Sequence, residues 1–140
     1  MIDLAFLAEI TPRLLAGVPT TLLLVVQSLA LGFVLALGVA GLRLSPSRIA
    51  RGGAYGFVYV FRATPLLVQM FLIYYGSGQF RDGLEAVGLW FLFRDAWFCA
   101  VIALTLNTAA YTSEIIRGGL QSVPHGQVEA GRAIGMSRLQ

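Results

Sequence analysis

Residues 104–135 read Leu104-Thr105-Leu106-Asn107-Thr108-Ala109-Ala110-Tyr111-Thr112-Ser113-Glu114-Ile115-Ile116-Arg117-Gly118-Gly119-Leu120-Gln121-Ser122-Val123-Pro124-His125-Gly126-Gln127-Val128-Glu129-Ala130-Gly131-Arg132-Ala133-Ile134-Gly135. The first half predicts a mostly apolar helix. It carries Asn107, Tyr111 and Glu114 at spacings of four and three, which puts them on one face. Gly118-Gly119 and Pro124 are expected to end that helix. The segment that follows has a glycine at 131 and again at 135 and is too polar to stay in lipid.

Composition fixes the class of solvent. The chain has 140 residues, of which 57% are hydrophobic and only 12% charged, and its mean hydropathy is +0.77. Soluble domains run nearer 25% charged, and one with so little charge would expose large apolar patches. The economical reading is an integral membrane protein. All ten basic residues are arginines and the net charge is +3. The arginines flank apolar runs instead of clustering with aromatics, so the pattern argues for membrane topology and against nucleic acid. Cys99 stands alone inside an apolar run and reads as a small buried hydrophobe; one Cys and one His make no metal site. Asp3 and Glu9 sit where a cleavable signal would be basic, which argues against one.

Working outward, the reading is all-α and polytopic. Residues 1–19 look like a short amphipathic lead-in at the membrane surface, punctuated by Pro12 and Pro19. A first span covers about 20–42. Within it Ser28, Gly32, Ala36 and Ala40 recur at every fourth position, a small-residue stripe that lets a second helix approach closely. Gln27 is the span's large polar residue and calls for a partner on a neighbouring helix. Residues 43–53 form a loop with Arg43, Arg48 and Arg51, and Ser45-Pro46-Ser47 marks a turn or helix start. A second span covers about 54–76. Pro65 disfavours helical geometry at Thr64 and removes one backbone donor, so this span is kinked or broken there. Two readings of Arg62 stand: its head snorkels to the lipid headgroups, or it faces the bundle interior as a functional charge. Residues 77–95 form a second loop whose aromatic patch suits the interface. A third span covers about 96–116.

The arginines also set the orientation. The first loop carries three, and the segment after the third span carries Arg117, Arg132 and Arg138. The N-terminal segment has only Arg13, and the second loop has two arginines against three acids. The positive-inside rule therefore places the N-terminus outside and residues 117–140 in the cytoplasm. A polar stripe inside a membrane helix, joined to a small docking segment outside it, suggests transport driven by a partner.

At Arg62-Ala63-Thr64-Pro65-Leu66-Leu67-Val68-Gln69, and again over 106–135, the sequence resembles the membrane-spanning permease subunits of bacterial ABC importers. It is most similar to the polar amino-acid group, which handles histidine, glutamine, arginine and opines. Arg62, Thr64, Pro65 and Gln69 match that group's Arg-Gly-Thr-Pro-Leu-Leu-Val-Gln pattern, with Ala63 in place of Gly. The second stretch matches its Asn-Thr-Ala-Ala-Tyr-Thr-x-Glu-Ile-x-Arg-Gly-Gly run. Glu129-Ala130-Gly131, followed by Gly135, is similar to its Glu-Ala-Ala-x-x-x-Gly loop, with Gly131 in the third position.

The resemblance implies a type I importer permease of five spans, of which three are present here, so the chain looks like the N-terminal part. It implies a bacterial inner-membrane location. The implied partners are a cytoplasmic ABC ATPase, a second permease copy or homologue, an extracytoplasmic solute-binding protein and the bilayer. It implies no cofactor on this chain, ATP being used by the ATPase. Glu129, Ala130, Gly131 and Gly135 become a coupling helix, with Val128 and Leu139 near one face and Glu129 in the first turn, where a carboxylate suits the positive helix end.

Asn107, Tyr111 and Glu114 supply an amide, a phenol and a carboxylate to one face, which is what a path for a polar solute requires. The alternatives are that Asn107 bonds a neighbouring helix and that Glu114 pairs with Arg117, three residues on. No phosphate-binding Gly-x-x-x-x-Gly-Lys-Ser/Thr motif is present, so the chain is expected not to hydrolyse ATP itself. The other functional class the residues permit is a non-transporting membrane scaffold that docks a cytoplasmic partner.

Overall fold

The computed structural model describes residues 4–137, which form seven helices and no strands: α1 (Leu4–Arg43), α2 (Arg48–Ala63), α3 (Leu66–Gln79), α4 (Arg81–Ala86), α5 (Trp90–Phe93), α6 (Ala96–Gln121) and α7 (His125–Ala133). Arg138, counted above in the charge asymmetry, Leu139 of the coupling segment and Asp3 lie outside the described residues. Two helices are long and apolar enough to cross a membrane, Ala8–Arg43 and Ala96–Gln121; α2 and α3 make a third crossing if taken together.

The lead-in and the first span are one helix. α1 runs through both Pro12 and Pro19. Membrane helices tolerate proline better than soluble ones; two residues past Pro19, Thr21 Oγ1 donates to the Gly17 carbonyl at 3.1 Å. Glu9 and Arg13 pair across one turn at 2.9 Å. At 1.5 Å per residue the helix is about 60 Å long, roughly twice the hydrocarbon core, so part of it projects beyond lipid or tilts.

The break at Thr64-Pro65 is sharp. α2 and α3 meet at 104°. Thr64 and Pro65 are both extended, with ψ of 138° and 139°, as the clash of the proline ring with the preceding residue dictates. Ser47 caps the start of α2 by accepting from the Ala50 N–H.

The helix expected to end at Gly118-Gly119 does not. α6 continues to Gln121 and carries both glycines inside it. Each glycine costs a helix only about 1 kcal/mol, and Arg117 holds the turn by donating both to Glu114 behind it and to Gln121 ahead. The chain turns at Ser122, whose N–H reaches the Gly118 and Gly119 carbonyls. Asp95 caps the other end of α6, accepting from the Trp97 N–H at 2.9 Å.

α1 and α6 make the main packing interface. Along it Ser28, Ala36 and Ala40 are buried, and Gly32 lies so close to α6 that a Cβ there would stand 2.7 Å from the Thr108 side chain. Val39, Ala54 and Val58 join α1 to α2, with Phe57 packed against them. Gln27 has no hydrogen-bond partner among the described residues, contrary to the expectation of one on a neighbouring helix. Most large apolar side chains face outward, as a surface in lipid or against other subunits requires.

Candidate functional site

The break between α2 and α3 needs a device to satisfy the backbone groups it frees, because lipid offers none. Thr64 Oγ1 donates to the Val60 carbonyl at 2.9 Å. Gln69, one turn into α3 and only 5% exposed, folds back over the break. Its Nε2 group shares two N–H bonds among the Phe61 carbonyl at 2.7 Å, the Thr64 carbonyl at 2.9 Å and Thr64 Oγ1 at 2.8 Å. Its Oε1 accepts from Asn107 Nδ2 on α6 at 3.2 Å. Thr64, Pro65 and Gln69 therefore act as one unit: the proline opens the helix, and the threonine and glutamine close the exposed carbonyls. Asn107 ties that unit to the third span.

One helical turn further along α6 lies a groove of about 350 Å³ between α1, α2 and α6. Its walls carry Arg43, Tyr55, Tyr59, Arg62, Tyr111 and Glu114. Glu114 is the hub. It accepts from Arg43 Nε at 2.9 Å, and from Arg117 Nε and Nη2 at 3.0 and 2.8 Å. The ion pair with Arg117 is thus formed, and Arg43 adds a second cation from a helix 71 residues away in sequence. Arg43 also lies over the Tyr55 ring at 5.0 Å. Arg62, at the end of α2, lies over the Tyr111 ring at 5.2 Å.

The structure thus brings Tyr111 and Glu114 into one groove and places Asn107 outside it, at the helix break. Arg62 sits in the groove beside the three-helix junction, with its guanidinium carbon 5.2 Å from the centre of the Tyr111 ring. Nothing local in the sequence marks Arg43, Tyr55 or Tyr59 as groove residues. Arg43 read as a loop cation, and only the folding of α1 against α6 brings it to Glu114.

A second concavity, of about 640 Å³, lies along α7, lined by Val123, Gln127, Val128, Gly131, Arg132 and Met136. Two details of the expected coupling helix differ. Glu129 stands in the second turn of α7, since the helix begins at His125 after a Pro124 cap, and so it lies beyond the strongest part of the helix-end field. Gly135 is past the end of the helix with φ of +81°. Its N–H bonds to the Arg132 carbonyl at 3.1 Å and the next N–H, of Met136, to Gly131 at 3.0 Å. That is a left-handed helix terminator, a conformation glycine favours. Gly131 lies inside α7, where a Cβ would make ordinary contact with Met136.

Long apolar helices, a broken span with internally satisfied carbonyls and a charged groove between helices define a polytopic membrane protein of transporter architecture. The chain belongs to the family of binding-protein-dependent transport system inner membrane components, whose pattern matches residues 28–140. It is 64% identical over 135 residues to the nopaline transport system permease protein NocM of Agrobacterium fabrum, covering 96% of this chain and 56% of that protein. It is 51% identical to the octopine transport system permease protein OccM of Rhizobium radiobacter, over 99% of this chain and 56% of that one. It is 42% identical to the arginine ABC transporter permease protein ArtM of Escherichia coli K12, over 93% of this chain and 59% of that one. The crystal structure of an amino acid ABC transporter with histidines superposes with a TM-score of 0.77 at 34% identity, over 99% of this chain and 60% of that one. The chain spans a little over half the length of these relatives.

Proposed function

We propose that this chain is the N-terminal part of a permease subunit in an ATP-driven importer of polar amino acids or opines. In this reading the subunit itself is not an ATPase. It pairs with a second permease, docks a cytoplasmic ABC ATPase and receives solute from an extracytoplasmic binding protein. The N-terminus faces outward and residues 117–140 face the cytoplasm. The solute passes along the α6 face that carries Asn107, Tyr111 and Glu114. The observation that carries the reading is the charged groove between α1, α2 and α6, because ionisable side chains within membrane helices are costly and mark solute paths. Asn107 serves that path by fixing the α2–α3 break through Gln69. Glu129, Ala130 and Gly131 on α7, with Gly135 as its terminator, form the ATPase-docking element, and the open face of α7 supports this.

The test uses the full-length permease in its complete transporter. Tyr111→Ala is expected to abolish ATP-dependent uptake of L-arginine and nopaline while the ATPase still copurifies. Glu129→Lys is expected to reduce ATPase copurification by about tenfold or more, as reversing one side of an interfacial charge pair does, with normal permease levels in the membrane. Wild-type behaviour in both variants would leave a scaffold that does not transport.

A further inference from the structure

The groove has an unbalanced charge that the path alone does not explain. Glu114 is its one carboxylate, and both its oxygens are engaged by Arg43 and Arg117. The carboxylate that the sequence offers to a cationic solute is therefore already neutralised by two guanidiniums. Arg62 is the third guanidinium at this site, and among the described residues it has neither an ion pair nor a hydrogen bond. Its guanidinium carbon lies 5.2 Å from the centre of the Tyr111 ring.

That contact leaves Arg62 usable. A guanidinium near an aromatic face is attracted by the ring, and that contact takes up none of its five N–H donors in a hydrogen bond. Two of them match the two oxygens of a carboxylate. Arg62 is also the last-turn cation of α2, held at the break that Gln69 stabilises.

We propose that Arg62 is the anion-binding centre of the groove and takes a carboxylate of the transported solute in a bidentate pair, with Tyr111 as the platform that orients it. Glu114 then serves as an anchor between α1 and α6 and does not bind the solute's cationic group. This rests on the reading of the groove as part of the solute path. An anionic lipid headgroup offers the same chemistry from another source, and the experiment separates the two.

Binding is measured on the assembled permease–ATPase complex in nanodiscs, without the binding protein, so that its own selectivity does not enter. The probes are L-arginine and nopaline, each beside the form with all its carboxyls amidated (one in arginine, three in nopaline), which keeps the amine and guanidinium and loses every carboxylate. The wild type should bind each carboxylate form about tenfold or more tightly than the amide, as a charge-assisted hydrogen-bond pair implies. Arg62→Gln should bring that ratio close to one. Arg62→Lys should keep it above one, and covers the case in which the glutamine variant does not assemble. If no probe binds the wild type, the path reading fails and this proposal with it. If acid and amide bind equally, the path stands and the role of Arg62 is overturned. If the effect of Arg62→Gln instead tracks the phosphatidylglycerol content of the nanodisc, with the acid-to-amide ratio unchanged, the anion is a lipid headgroup and the proposal is again overturned.

Discussion

At Gly32 a single methyl group decides whether two spans can meet. A Cβ there would lie 2.7 Å from Thr108 Cβ and Cγ2 and 3.1 Å from the Thr105 carbonyl. The carbonyl belongs to the α6 backbone and cannot rotate away. Gly32→Ala in the full-length permease should therefore force α1 and α6 apart and cost about 1–3 kcal/mol. Gly17→Ala, where nothing lies within 4 Å, should match or exceed wild type, because alanine suits a helix better. Thermal unfolding of the detergent-solubilised protein checks both; equal melting temperatures for the two variants would show that the interface gives way freely. This much was legible from spacing alone, since small residues at 28, 32, 36 and 40 share one face of any helix. The pairing of Arg43 with Glu114 was not, because 71 residues separate them and no local pattern links them.

Elements are where the sequence misled most, chiefly by overestimating local breakers. Pro12 and Pro19 lie inside α1, and Gly118 and Gly119 lie inside α6. At Gly118 and Gly119 the Arg117 bonds to Glu114 and Gln121 bridge a weak local preference; at Pro12 and Pro19 the helix runs on although each proline removes a backbone donor. Pro65 does break its helix, and the difference is the company it keeps: Thr64 and Gln69 close the carbonyls that the break exposes. The sequence flagged these residues only as a motif; the geometry supplies their work. Gln69→Leu should leave the Phe61 and Thr64 carbonyls without their side-chain donor, at about 1–3 kcal/mol for a buried group left unpaired. Asn107→Ala removes one longer bond, to Gln69 Oε1, and should destabilise less. Melting of the two variants in the same detergent decides it, and the reverse order would mean that the Asn107 contact, not the carbonyl closure, holds the break. At α7 the mismatch was of another kind. Gly135 reads as a small contact residue but is held at φ of +81°, so any side chain there strains the backbone before it meets a partner.

The whole molecule turns on whether α2 and α3 cross the membrane or dip in and return. A 104° bend is compatible with either, by length and composition. Arginine placement favours a crossing: the first loop carries Arg43, Arg48 and Arg51, whereas residues 77–95 carry two arginines and three acids. The polar closure at Gln69 suits a crossing too, because it satisfies the break from within the protein and leaves no open backbone to lipid. Reporter fusions in the full-length protein within 45–47, at Gly88 and at Ser122 should read cytoplasm, exterior and cytoplasm in turn. An exterior reading at Gly88 puts α6 on a return course and brings α7 to the ATPase side. A cytoplasmic reading at Gly88 would make α2 and α3 re-entrant, turn α6 outward and leave α7 on the wrong face to dock any ATPase. The proposed coupling role of Glu129 thus depends on a bend 65 residues earlier in the chain, and the Gly88 fusion is the measurement on which the two stand or fall together.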